Sequence, residues 1–67
     1  MDIRKRLGAN LKHYREQAEL SQEALADVAG LHRTYISGVE RGVRNPTITV
    51  VEKIAKALKL KAWQLLE

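Results

Sequence analysis

The chain has 67 residues, a net charge of +4 and no cysteine, with 45% hydrophobic and 30% charged residues. One soluble domain is expected, near the lower size limit for a lone hydrophobic core. Disulfides and thiolate metal sites are excluded, no apolar run approaches the ~20 residues of a membrane span, and the N-terminus lacks an apolar signal core. An intracellular, cytoplasmic protein without metal, cofactor or small-molecule ligand is the expectation.

The charge is unevenly placed. Residues 1–15 carry a net +4, residues 16–31 a net −4, residues 32–45 a net +2 and residues 46–67 a net +2. Basic segments around an acidic one describe a one-sided field, which suits a nucleic-acid partner.

Read in chain order, the signal is helical almost throughout. Ile3, Leu7 and Leu11 recur every four residues, and Tyr14 and Ala18 continue the stripe, so a first helix is predicted over Asp2 to Glu19. Ser21 is placed as an N-cap, and a second helix follows from Gln22 to Ala29 with Leu25, Val28 and Ala29 inward. Gly30 is placed as its left-handed C-cap and Leu31 as the apolar residue that closes it.

A third helix is predicted from Arg33 to Arg41, stopped by Gly42. Pro46 and Thr47 mark a turn and a new cap, with Thr49 and Glu52 as a second possible start. The fourth helix should bury Val51, Ile54, Ala55 and Leu58, and "KAWQLL" forms a short fifth. No stretch alternates with period two for long enough to be a strand. The fold class is all-α, a bundle of about five short helices in a single domain over 1–67.

The third helix carries the functional signal. At ~100° per residue, Ile36, Val39 and Glu40 fall on one side. Thr34, Ser37, Gly38 and Arg41 lie opposite, with Arg33 at the flank. A solvated face of ordinary function would hold better helix formers, and Gly38 alone loses ~1 kcal/mol relative to Ala. Such a face suggests something that approaches closely.

The tight turn "VAGL" between two short helices makes residues 21–41 a candidate helix-turn-helix, whose second helix enters the major groove. Arg33 could then pair with guanine O6 and N7, and Thr34 and Ser37 with other base edges. Gly38 would give clearance for DNA, so that Gly38→Leu should spare folding and damage binding. Glu40, an acid on the inward face, needs a partner, and Arg15 of the first helix is the candidate.

The stretch "LSQEALADVAGLHRTYISGVERGVRNPTITVVEKIAKALKL" resembles the Cro and phage-repressor type of helix-turn-helix regulator, the XRE family with its lambda-repressor-like DNA-binding domain. Gln22, the spacing of Ala26 and Gly30, Ile36, Ser37, "ERG", "RNPT" and "KIAKAL" carry the resemblance, over about residues 5–60. "RTYISGVERGVRNPTI" looks most like the controller proteins of restriction–modification systems, small homodimers that regulate their own promoter and that of the nuclease gene.

The resemblance implies that Arg33, Thr34 and Ser37 read bases and that Tyr35 touches bases or backbone. It implies that Gln22, beside Ser21 at the second helix's N-terminus, clamps a phosphate, and that Arg44 and Asn45 grip the backbone; Arg41 on the polar face joins them. Arg15 and Glu40 match a pair that ties the first helix to the third. The sequence departs from the family at Lys59, where glycine is common, and with the sequence ending at Glu67 no ligand-binding or cleavage domain is expected.

Val50, Ala57, Trp63, Leu65 and Leu66 are candidates for a self-association patch within residues 48–67. A two-fold dimer would set its recognition helices ~34 Å apart and read a palindromic operator in double-stranded DNA. Activation would add RNA polymerase as a partner, with Glu16, Glu19, Glu23 and Asp27 as the candidate surface. The alternatives are a phage-type or plasmid repressor, an antitoxin-like regulator, or a helical protein-interaction module. No enzyme is expected, since neither a nucleophile–base set nor a phosphate loop is present.

Overall fold

In the computed structural model, which describes residues 2–67, five helices follow one another: α1 (Ile3–Gln17), α2 (Gln22–Ala29), α3 (Arg33–Glu40), α4 (Ile48–Ala57) and α5 (Ala62–Leu66). No strand occurs among the described residues. The helix starts follow from local chemistry. Asp2 Oδ1 accepts from Arg4 N at 2.8 Å, Ser21 Oγ from Ala24 N at 3.0 Å and Thr47 Oγ1 from Val50 N at 3.2 Å. Each such cap stabilises its helix by ~1 kcal/mol. Thr47, not Thr49, opens α4.

The helix ends show one surprise. Gly30 takes the left-handed conformation (φ 71°) and Leu31 N donates back to Ala26 O at 2.9 Å, as its sequence position predicts. Glu19 and Lys59 do the same work with φ 60° each. Leu20 N then reaches Arg15 O at 3.1 Å, which stops α1 at Gln17, two residues short of the predicted end. Leu60 N reaches Ala55 O at 2.8 Å after Lys59. A side chain in that conformation costs ~1 kcal/mol or more.

The core takes residues from all five helices: Leu7 and Leu11, Leu25 and Ala26, Ile36 and Val39, Val51, Ile54 and Ala55, and Leu65. Burying each large aliphatic side chain stabilises the fold by ~1.5–3 kcal/mol. Val28 was expected inward and is 64% exposed. On α2 it lies about 60° outside the arc that holds Leu25, Ala26 and Ala29, and about 110° from that arc's centre. Gly8 is where α1 crosses α3. A Cβ there would stand 2.5 Å from the carbonyl oxygens of Val39 and Glu40, so only glycine lets the two backbones meet.

The expected self-association patch is corrected in two respects. Leu65 is fully buried in the core, and its carbonyl accepts from Asn10 Nδ2 at 2.9 Å, which ties α5 to α1. It has no surface to offer. Leu66 and Ala57 do not share a face either. Leu66 borders an open apolar groove with Ile3, Leu7, Ile48, Val51 and Ala62. Ala57 instead faces Val28 and Ala29 of α2. Ile48 and Ala57 are nine residues apart on α4, half a turn out of phase at ~100° per residue, and Val50 is on Ala57's side.

Candidate nucleic-acid interface

Burial of Leu25, Ala26, Ile36 and Val39 packs α2 against α3 and fixes which face of α3 remains free. On that face Arg33, Thr34, Ser37 and Arg41 line one shallow hollow, and Gln22 from the start of α2 closes its edge. Arg33, Thr34 and Arg41 are exposed and Ser37 is half-buried. Five of the residues singled out in the sequence therefore converge, although they come from two helices. The α2 N-terminus beside them presents free backbone amides and the positive end of a helix dipole, a setting that attracts anions.

An ion pair beneath this surface sets the position of α3. Arg15 Nε donates to Glu40 Oε2 at 2.6 Å and Nη2 to Oε1 at 3.1 Å, while Gln22 Nε2 donates to the same Oε1 at 3.0 Å. Arg15 Nη1 reaches Leu20 O at 2.8 Å. One carboxylate thus joins α1, α2 and α3. The Glu40 hydrogen bond raises the pKa of the Arg15 guanidinium, against an opposing effect of burial. Charge-assisted, bidentate pairs of this kind are about twice as strong as neutral hydrogen bonds. Gln22, expected to clamp phosphate, spends one amide hydrogen on Glu40 and keeps the other.

Gly38 needs a correction. It is buried, and this chain's own Arg44 covers it: a Cβ on Gly38 would stand 2.6 Å from Arg44 Cγ. The gap in the helix receives the stem of that arginine, so the clearance is not for DNA. Arg44 then extends over the Tyr35 ring, 5.4 Å from its centroid, a cation–π contact. Val43 N and Arg44 N both donate to Gly38 O, at 3.0 and 3.3 Å. Tyr35 is half-buried against the core and carries Arg44 on its ring. Gly38 and Tyr35 therefore seat a cation at the end of α3. Asn45 lies on the other side of the loop, on the rim of the apolar groove with Arg4 and Pro46.

Two contributors to this region carry little signal in the sequence. Lys5 of α1 packs against Gly42, where a Cβ would lie 3.0 Å from its Cγ, and so brings a base beside the end of α3. His32 is the N-cap of α3 and accepts from Thr34 N through Nδ1 at 3.2 Å. Histidine is an uncommon cap, and Ser, Thr, Asp or Asn is the usual signal.

The geometry has counterparts. The helix-turn-helix family model HTH_3 matches residues 11–62. Control protein C.SmaI of Serratia marcescens is 48% identical over 66 residues, which span 98% of this chain and 79% of that protein. The crystal structure of the restriction-modification controller protein C.AhdI from Aeromonas hydrophila superposes with a TM-score of 0.90 at 40% identity, over 92% of this chain and 94% of that one. The biofilm regulator SinR, in a crystal structure with DNA, superposes with a TM-score of 0.87 at 34% identity, over 91% of this chain and 98% of that one. The chain belongs to the HTH_3 helix-turn-helix family, the XRE type of non-enzymatic, DNA-binding regulator.

Proposed function

We propose that the chain regulates transcription as a homodimer on a palindromic operator, and that it is the controller protein of a restriction–modification system. The observation that carries the DNA-reading part is the convergence of Arg33, Thr34, Ser37 and Arg41 on the free face of α3. Arg33, Thr34 and Ser37 read base edges, and Ser21, Gln22, Arg41 and Arg44 hold phosphates. Contacts to phosphate position the protein, and contacts to base edges specify the sequence. The likeness to C.SmaI and C.AhdI supports the controller reading.

The apolar surface supports the dimer. Ile48 is 84% exposed, and Ile3 and Leu66 are exposed with it around one groove; Trp63, also near the C-terminus, is 60% exposed. A 67-residue domain that leaves such residues in water gains from a partner of the same shape. Ile48 and Ile3 thus replace Leu65 in the proposed interface.

Binding-site selection from random duplexes tests the reading. An enriched palindrome with half-sites one helical turn apart is expected. Arg33→Ala should relax the preference at one base pair, by about 1–3 kcal/mol, with the salt slope nearly kept. Ile48→Glu should turn the dimer into a monomer in sedimentation equilibrium. If selection enriches no palindrome, the dimer–operator reading is abandoned. A methyltransferase or nuclease gene beside the coding sequence is the expectation of the controller reading.

A further inference from the structure

The cap of α3 contains a second contact. The Thr34 hydroxyl lies 2.8 Å from His32 Nδ1, the same nitrogen that accepts from Thr34 N. An imidazole nitrogen that accepts carries no hydrogen. The tautomer with its hydrogen on Nε2 suits this cap: the single lone pair of Nδ1 is then shared by the amide and by the hydroxyl at 2.8 Å, which donates. In that tautomer the hydroxyl directs its proton at His32, and its lone pairs are left for another donor. Thr34 is exposed and shares its hollow with Arg33 and Ser37.

We propose that His32 is a positioning residue for base readout: it holds Thr34 as a hydrogen-bond acceptor, and protonation of the imidazole reverses that role. The inference rests on the DNA-reading function proposed above. In the major groove, an accepting Thr34 is matched by the amino groups of adenine N6 or cytosine N4. When Nδ1 gains a hydrogen it can no longer accept from the amide, and it donates to Thr34 Oγ1 instead. The hydroxyl hydrogen is then free to donate, which suits guanine O6 or thymine O4. Imidazole is the side chain whose charge changes between about pH 5 and 8. The charged groups around it are Glu23 and Asp27 of α2 and Arg33 of α3, which line one hollow with His32.

A change of base preference separates this from a merely structural cap. His13, the second histidine, sits on α1 against the Tyr14 ring, 5.3 Å between centroids. A general effect of pH on binding acts on every sequence alike, so only the ratio between bases is informative. Thr34→Val first locates the base pair that Thr34 reads, as the operator position where preference relaxes. Competition binding among the four bases at that position is then measured at pH 8.0 and 5.5, for the wild type and for His32→Asn. Asparagine caps a helix with a carbonyl oxygen and does not titrate in this range.

The wild type should favour adenine or cytosine by about fivefold at pH 8.0, the lower end of what one good base contact discriminates, and should lose or invert that preference at pH 5.5. His32→Asn should keep the preference at both values. Equal wild-type preference at both pH values overturns the inference, as does a shift that persists in His32→Asn. In either case the DNA-reading function itself stands. Selection that enriches no sequence at either pH removes the function and the inference together.

Discussion

Glu40→Ala tests whether the three-helix junction is a structural tie or a DNA contact. The Glu40 side chain is 5% exposed and that of Arg15 12%. The substitution deletes three acceptor contacts, two from Arg15 and one from Gln22, and leaves the guanidinium in place. Removing one member of a buried pair costs about 3–5 kcal/mol, mostly because the other charge stays buried without compensation. Arg15 keeps its bond to Leu20 O and some contact with water, so about 3 kcal/mol is expected. A domain of this size has roughly 3–10 kcal/mol in total. The loss corresponds to a fall of about 12–24 °C in Tm, at ~4–8 °C per kcal/mol. Trp63 is too exposed to report on the core, so urea and thermal unfolding should be followed by far-UV ellipticity at one fixed protein concentration. A variant that melts within about 2 °C of wild type yet no longer binds DNA would refute the structural role and put Glu40 at the DNA.

Three further outcomes follow from the packing. Gly38→Ala should weaken DNA binding by displacing Arg44, with little change in Tm because the helix propensity gain of ~1 kcal/mol offsets the clash; in an Arg44→Ala background the same change should raise stability by about that amount, and equal effects in both backgrounds would contradict the seating role. Gly8→Ala should destabilise by about 1–3 kcal/mol in urea unfolding, since the obstacle is the backbone of α3 and not a side chain that can swing away. Lys59→Gly should relieve left-handed strain and raise Tm by a few degrees, because that ~1 kcal/mol is only partly offset by the greater freedom of glycine in the unfolded chain.

The sequence by itself determined what acts over short stretches. Serine and threonine caps, the glycine at the end of α2 and the apolar period act within four or five residues, so the bounds of α2 were legible before any fold was known, and the start of α4 was narrowed to Thr47 or Thr49. The Arg15–Glu40 pair was legible too, because an inward acid demands a cation and the family resemblance points to Arg15. Tertiary structure alone decided what covers each face. A helical projection put Gly38 on the open side of α3 but could not show that Arg44, six residues on, folds back into the gap. It could not show that Gly8 is the crossing point of two backbones, or that Leu65 turns into the core while Ile48 stays in water. Periodicity assigns a side chain an angle about its own axis. Which neighbour fills that angle depends on how chain segments tens of residues apart dock, and no local pattern encodes that.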